Sequence, residues 1–188
     1  EFELIQPGPN GKMHSGKIKG YDFFDRVYVQ YTEIYKYTRG ENTIDTDIQK
    51  LISMLGISDE EIKSVQDDPE RCLILISGKF HKQYQEILNQ FLSMNYRLFS
   101  FIESSLANEI SRCQDPECID HANIKYREYI EFALAHMTSS EMLVLFYFSK
   151  LEKPLSAMLD KLNVFRDIKP EKLIEQNHIS LHPQTQGT

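Results

Sequence analysis

The chain has 188 residues, of which 41% are hydrophobic and 26% charged, and this is the composition of an ordinary soluble protein with one hydrophobic core. Its formal net charge of −7 excludes a general electrostatic attraction to nucleic acid or to an anionic membrane surface. The longest apolar runs, Leu73–Ile76 and Met142–Phe148, fall far short of the roughly 20 residues that span a bilayer, so the sequence predicts no transmembrane helix.

The sequence predicts a helical domain between two less regular ends. Residues 1–20 are predicted to be an irregular entry segment because proline and glycine are dense there. The helical domain is predicted over residues 21–168, and a polar C-terminal tail over residues 169–188. The first helix is predicted over Tyr21–Tyr37, where apolar residues recur every three or four positions.

Short helices are predicted to follow the first one. Apolar residues at helical spacing predict a helix over Ile44–Leu55, which ends at Gly56. The sequence Ser58–Glu61 is typical of a capping box and predicts a short acidic helix behind it. Leu73–Ile76 could form a strand, but no partner strand is evident, so a helix is favoured.

The longest periodic segment is Phe80–Leu106, and it is predicted to form one continuous helix of roughly 40 Å. We expect its apolar stripe to face the core. The members of the stripe are Tyr84, Ile87, Leu88, Phe91, Met94, Leu98, Ile102 and Leu106. A polar loop over Ser111–Asp120 is predicted to end this element.

Two helices within residues 122–151 are predicted to form the centre of the fold. In the first, an apolar face includes Tyr126, Tyr129 and Ile130. Thr138 and Glu141 then form a predicted capping box that begins the second helix, which is apolar on all sides over Met142–Phe148. The fold class is therefore predicted to be all-α: a single-domain helical bundle around one long helix and this central apolar pair.

Cysteine and histidine spacing leaves a metal site as a weak alternative. Cys113 and Cys118 lie near His121, and a zinc site there would need a fourth ligand such as His136 or Asp120. Two free thiols in a loop are favoured, since three cysteines are too few for a secreted disulfide scaffold and suit a reducing cytosol. No metal is predicted.

No catalytic constellation is evident, and a non-enzymatic protein is favoured. The chain has no Gly-x-Ser-x-Gly motif and no glycine loop of the nucleotide-binding types, so no cofactor is predicted. A HEPN-type ribonuclease pairs an arginine with a histidine across four to six residues. Here Arg112 and His121, like Arg127 and His136, are separated by eight residues, which does not fit.

Four polar residues are candidates for a structural or functional role: Tyr96, Arg97, Tyr126 and Glu141. Tyr96 and Arg97, with Asn95, interrupt the long helix close to its apolar stripe, which is typical of a solvated helix face. The alternative hypothesis is that Arg97 pairs with a buried acid. The acids considered are Glu103, Glu128 and Glu141, although Glu141 is most simply a capping residue.

Three parts of the chain form a recognisable pattern: Tyr96–Ser105, Tyr126 and Leu134–Tyr147. This pattern resembles the phage abortive infection protein family (AbiC-like domain). The start Gly20–Phe24 is similar to the Gly-x-x-Phe helix start of that family. The resemblance covers residues 16–168 and is strongest over 92–148. Met137 and Thr138 stand where the family usually has Leu-Ser, a departure that preserves the capping chemistry.

The resemblance implies a bacterial anti-phage defence domain that acts as a sensor or protein-interaction module. Its partner would be a protein or a phage component, with assembly into a homo-oligomer left open and no nucleic acid expected. Members of the family commonly carry transmembrane helices ahead of this domain. We therefore expect a cytoplasmic domain tethered to the inner membrane through segments absent from this chain. A non-standard HEPN-like ribonuclease effector is the alternative.

Overall fold

The computed structural model describes residues 2–7, 13–18, 20–41 and 46–182. It confirms the all-α class, since α-helices occupy most of these residues. The helices are α1 (Gly20–Thr38), α2 (Thr46–Leu55), α3 (Asp59–Val65), α4 (Pro69–Gln83), α5 (Gln85–Ile110), α6 (Pro116–Ala135), α7 (Ser139–Phe148) and α8 (Lys153–Lys161). The chain divides into two compact units, Glu1–Glu86 and Ile87–Thr188, and this division does not coincide with the boundaries predicted at residues 20 and 168.

The first unit begins with two strands, β1 (Phe2–Pro7) and β2 (Met13–Ile18), which pair antiparallel from Phe2 opposite Ile18 to Pro7 opposite Met13. The prediction of an irregular segment over residues 1–20 was wrong for these strands. Gly8, Pro9 and Gly11 fall between the strands in sequence, so the breakers separate two extended segments instead of disrupting one.

Helices α1 to α4 of the first unit confirm the predicted helical periodicity. Tyr31, Ile34 and Tyr35 on α1 are fully buried. The α2 helix begins at Thr46, and the predicted first residue Ile44 lies outside the described residues. Ser58 and Glu61 form the predicted capping box of α3. Leu73–Ile76 lies within α4, so the helical prediction is confirmed and the strand alternative is wrong.

The single long helix predicted over Phe80–Leu106 was wrong, because it is two helices broken at Tyr84. The Tyr84 backbone leaves the helical region at φ −117° and ψ 35°, and its ring packs against Phe23 and Phe80 at centroid distances of 5.5 and 6.2 Å. Burial of this ring in an aromatic cluster stabilises the break. Apolar periodicity continues across the break, and this is why the sequence pattern did not reveal it.

The inward face of α5 also differs from the predicted stripe. Leu88, Phe91 and Ile102 are buried as predicted, but Met94 is 58% exposed and Leu98 is 38% exposed. Leu92, Asn95 and Phe99, none of which was in the predicted stripe, complete the buried face. The true core face is rotated around the helix, because aromatic and aliphatic residues occur on both sides of α5 and hydrophobicity alone does not choose between them.

The central helix pair in the second unit is confirmed, with earlier bounds for its first member. The α6 helix begins at Pro116, capped by the Asp115 carboxylate, so the predicted loop over Ser111–Asp120 is shorter than expected. Thr138 and Glu141 form the predicted capping box of α7. Every side chain from Leu143 to Phe148 is buried, and Leu145 and Phe146 are completely inaccessible.

A further correction concerns the predicted polar tail over residues 169–188. After α8, two 3-10 helices, Pro170–Lys172 and Gln176–Leu181, continue the folded structure. Leu173 is buried, and so are His178 and His182, each of which is 3% exposed. The polar residues of this segment were predicted to be solvated, whereas the two buried histidines form hydrogen bonds within the second unit. Residues 183–188 lie outside the described residues.

Candidate functional site

Polar side chains meet where α5 ends and α6 begins. The Lys125 ammonium group donates to both carboxylate oxygens of Glu109, at 3.0 and 2.8 Å. The lysine lowers the pKa of Glu109, and the carboxylate raises the pKa of Lys125. Burial, followed by the hydrogen bond to Glu109, raises the pKa of Tyr126. With Ser105, Asn108 and Arg112, these groups line an open polar cavity of about 400 Å³.

Large apolar side chains are exposed on the same two helices. They include Met94, Leu98 and Phe101 on α5 and Tyr129 and Phe132 on α6, while Tyr96 and Ile124 are exposed elsewhere on the same helices. Phe101 is 71% exposed and Phe132 is 69% exposed, so two phenylalanine rings are mostly in contact with water. We refer to these residues, Met94, Leu98, Phe101, Tyr129 and Phe132, as the apolar face.

The members of the apolar face lie on one side of the α5–α6 pair. On α5, Leu98 and Phe101 share a helix side with Ser105 and Glu109, because residues three, four and seven positions apart are neighbours. On α6, Tyr129 is four positions after Lys125, so it lies on the side that reaches Glu109. The exposed apolar residues of each helix therefore lie on the same helix side as one member of the Glu109–Lys125 ion pair, which joins the two helices.

The predicted candidates Tyr96, Arg97, Tyr126 and Glu141 do not meet in one site. Tyr96 is 43% exposed and lines a cavity of about 330 Å³ with Asn89, Ser93 and Glu152. Tyr126 lines the polar cavity instead. The remaining two candidates have separate positions, Arg97 on the exposed surface of α5 and Glu141 in the capping box of α7.

The contacts of the three acids do not support the alternative hypothesis that Arg97 pairs with a buried acid. Glu103 accepts a hydrogen bond from Lys161 at 2.6 Å, while Glu141 accepts from the Thr138 amide at 2.7 Å. Glu128 is exposed. Each of these acids either has a nearer partner or faces solvent, so none of them holds the Arg97 guanidinium toward the core. The interpretation of Arg97 as part of a solvated helix face therefore fits the structure.

A different arginine makes the ion pairs that sequence reasoning missed. The Arg127 side chain donates to Glu131 at 3.1 Å, to the Asn163 carbonyl at 2.9 Å and to Asp167 at 2.9 Å. Arg166 also pairs with Glu131 and Asp167. The i, i+4 spacing of Arg127 and Glu131 was the one sequence signal for their pairing.

A buried cluster consists of Ser149, His182 and Asp160. Their side chains follow one another as in a nucleophilic triad, but they cannot act as one. Ser149 Oγ is 3.3 Å from His182 Nε2, and His182 Nδ1 is 2.5 Å from Asp160 Oδ1. However, Ser149 is fully buried and donates to the Phe146 carbonyl, which also contacts His182 Nε2 at 2.9 Å. A nucleophile must reach its substrate, so this cluster holds the C-terminal segment in place. Burial lowers the pKa of His182.

The favoured interpretation of Cys113 and Cys118 as free thiols was wrong. They form a disulfide with their Cα atoms 5.5 Å apart, and Cys72 is a buried cysteine outside this bond. Five residues of separation bring the sulfurs together because Asp115 turns the chain from α5 into α6. Among the described residues there is no group of three or more His, Cys, Asp or Glu side chains that could hold a metal ion.

Comparisons with known proteins match just under half of the chain to one family. Residues 83–173 match the family described as "putative phage abortive infection protein", which confirms the resemblance seen in the sequence. The matched segment includes 91 of the 188 residues, so just under half of the chain is similar to that family. No curated protein and no solved structure matches the chain.

The matched segment contains the apolar face and the polar cavity, as well as Tyr96, Arg97, Tyr126 and Glu141. Sequence reasoning identified Tyr126 but placed Met94, Leu98 and Tyr129 in the core and gave no role to Phe101 or Phe132. The signal for the two phenylalanines was their position beside polar residues, outside the apolar stripe of their helices.

Proposed function

We propose that this chain is a bacterial anti-phage defence domain that acts by binding a protein partner or phage component through the apolar face. The observation that carries the proposal is the exposure of Met94, Leu98, Phe101, Tyr129 and Phe132 on one side of α5 and α6. The match to the abortive infection family supports the defence role.

The chemistry of the apolar face supports a protein partner. Single exposed apolar residues are common, but adjacent large ones are typical of interaction surfaces. Aromatic residues and methionine are enriched at the centres of protein interfaces, where Tyr and Phe supply large contact areas. The net charge of −7 disfavours a nucleic acid at the same surface, since phosphate binding requires clustered cations.

The Glu109–Lys125 ion pair supplies a polar border to the apolar face. Both side chains are partly accessible, at 34% and 39%, so they can stay hydrated while a partner covers the apolar residues beside them. A polar rim around an apolar centre is the usual arrangement of protein interfaces.

Substitution of the apolar face provides the test. Cells that express the full-length protein with Phe101→Ser and Phe132→Ser should lose phage protection in a plaque assay, because two exposed anchors are removed at little cost to folding. Val29→Ser and Ile74→Ser are matched controls, since these residues are 54% and 48% exposed on helices of the first unit.

Protein levels and circular dichroism of all variants should equal those of the unchanged protein. If the Phe101 and Phe132 variants protect as well as the unchanged protein, the apolar face is not the interaction surface. An equal loss in the Val29 and Ile74 variants would also contradict the proposal.

We also propose that the full-length protein lies at the cytoplasmic side of the inner membrane. The family resemblance supports this location. No described helix of this chain is both long and apolar enough to cross a bilayer, so a tether would have to come from other segments. Membrane fractionation of the full-length protein, before and after high-salt washing, would test the proposal.

A further inference from the structure

We propose that Cys113 and Cys118 form a reversible redox site, opened by a dithiol reductant, that controls the order of the turn between α5 and α6. The inference is independent of the proposed function, because it rests on the exposure of the disulfide and the contacts around it. The bond joins a residue just beyond the end of α5 to the first turn of α6.

The disulfide is accessible and encloses little structure. Cys118 is exposed and Cys113 is half-buried, while the four residues between them, Gln114 to Glu117, are all exposed. A disulfide that closes so short a loop removes little entropy from the unfolded chain, so it contributes less stability than one that joins distant segments. Accessible disulfides of this kind are reduced more readily than buried structural ones.

The contacts around the turn explain why the fold survives reduction. The Cys113 amide donates to the Ile110 carbonyl at 3.0 Å, and the Cys118 amide donates to Asp115 at 2.8 Å. The Glu109–Lys125 ion pair joins α5 to α6 a few residues away. These bonds do not involve sulfur, so both helices keep an attachment when the disulfide opens.

The local chemistry favours Cys118 as the sulfur that reacts first. It is the more exposed of the pair, so a thiolate of the reductant reaches it more readily than it reaches Cys113. Cys118 also lies in the first turn of α6, where the helix dipole stabilises its thiolate once the second step has released it. Arg112 adds positive charge nearby in sequence, whereas Asp115 and Glu117 oppose it. Exposure therefore favours attack at Cys118.

The reaction is a two-electron thiol–disulfide exchange. A thiolate of the reductant, a dithiol such as a thioredoxin-class protein, attacks Cys118 Sγ and breaks the bond to Cys113 Sγ, which leaves as a thiolate and takes a proton. The second thiol of the reductant then attacks the mixed disulfide and releases Cys118. The chain gains two thiols, and the reductant becomes a disulfide.

Reduction would act directly on the polar cavity. Arg112, which lines that cavity with Glu109 and Lys125, is covalently adjacent to Cys113. When the disulfide opens, residues 111–115 lose one of their constraints, so the position of the Arg112 guanidinium becomes less fixed. Redox state therefore alters one wall of the cavity.

Thiol labelling of the folded protein tests the site, with dithiothreitol as the reductant and intact mass as the readout. The air-oxidised protein should take up no label, and the reduced protein should take up two labels without denaturant. Cys72, which is fully buried, is an internal control that should be labelled only after unfolding. Glutathione disulfide should then reverse the change.

Hydrogen exchange separates the proposed control of the turn from simple reduction. Exchange should become several times faster over residues 111–118 on reduction, while α7 remains protected. Two labels in the air-oxidised protein, resistance to dithiothreitol until the chain unfolds, or unchanged exchange over 111–118 would each overturn the proposal.

Single variants test which sulfur reacts. In Cys113→Ser the remaining Cys118 thiol should be labelled several times faster than the Cys113 thiol in Cys118→Ser. Equal rates, or faster labelling of Cys113, would overturn the assignment of Cys118 as the more accessible sulfur.

Discussion

Tyr31 and Tyr84, both buried in the first unit, have opposite hydrogen-bonding situations. The Tyr31 hydroxyl donates to the Leu73 carbonyl at 3.3 Å and lies 3.0 Å from Ser77 Oγ. The Tyr84 hydroxyl is buried without a hydrogen-bond partner among the described residues, and burial raises its pKa to about 12. A buried hydroxyl therefore stabilises the fold at one position and costs free energy at the other.

Removal of these hydroxyls should have opposite effects on stability. We expect Tyr31→Phe to lower the free energy of unfolding by about 1 to 3 kcal/mol, because Ser77 and Leu73 lose a partner. Tyr84→Phe should leave it unchanged or raise it by about 1 kcal/mol, since an unsatisfied group is removed. Urea unfolding followed by circular dichroism measures both. A larger loss in Tyr84→Phe than in Tyr31→Phe would contradict the assignment.

Residue roles could be predicted where they depend on local sequence. Thr138 and Glu141 were identified as a capping box because the motif is complete within four residues. The long-range partners of Lys125 and Arg127 could not be predicted, because they lie far away in sequence, at 109 for Lys125 and at 163 and 167 for Arg127. Such pairs follow from tertiary packing, which a single sequence does not display.

At the scale of elements, helical periodicity predicted most of the helices but not where they end. The break at Tyr84 and the early start of α6 at Pro116 depend on backbone angles and caps within a continuous apolar pattern. The C-terminal 3-10 helices carried no periodic signal, because His178 and His182 are buried through hydrogen bonds and ring contacts and not through an apolar stripe.

The C-terminal segment should depend on His182. We expect His182→Ala to increase hydrogen exchange and proteolysis over residues 170–182, because the contacts with Asp160 and the Phe146 carbonyl are lost. Such a loss should cost about 1 to 3 kcal/mol. His121→Ala is the control, since His121 is exposed and its change should leave the segment protected. Equal protection in both variants would show that the histidine does not hold the segment.

At the scale of the whole molecule, the sequence predicted the class of the fold and the resemblance to the abortive infection family. Apolar residues at helical spacing predict a mostly helical protein even where the exact core face is not predicted, and the family match covers residues 83–173. The division at Glu86 was not predicted, since it falls inside the periodic segment that was read as one helix. The apolar face was not predicted, because its members are large apolar residues of the types that usually lie in a protein core.

The central claim is that the domain acts by contact and not by acid–base chemistry. Three of the described histidines, His81, His121 and His136, are at least partly accessible, and histidine is the usual acid–base group near neutral pH. His178 and His182 are buried and serve the fold. A binding mechanism therefore makes the three accessible imidazoles dispensable.

The most direct measurement is phage plaquing on cells that express the full-length protein with His81, His121 and His136 all replaced by alanine, at matched protein levels. The integrity of cellular RNA is followed in the same infected cultures. We expect protection equal to that of the unchanged protein, with RNA intact in both. Loss of protection by a variant that still folds, together with RNA cleavage only in the unchanged protein, would contradict the claim and favour the ribonuclease alternative.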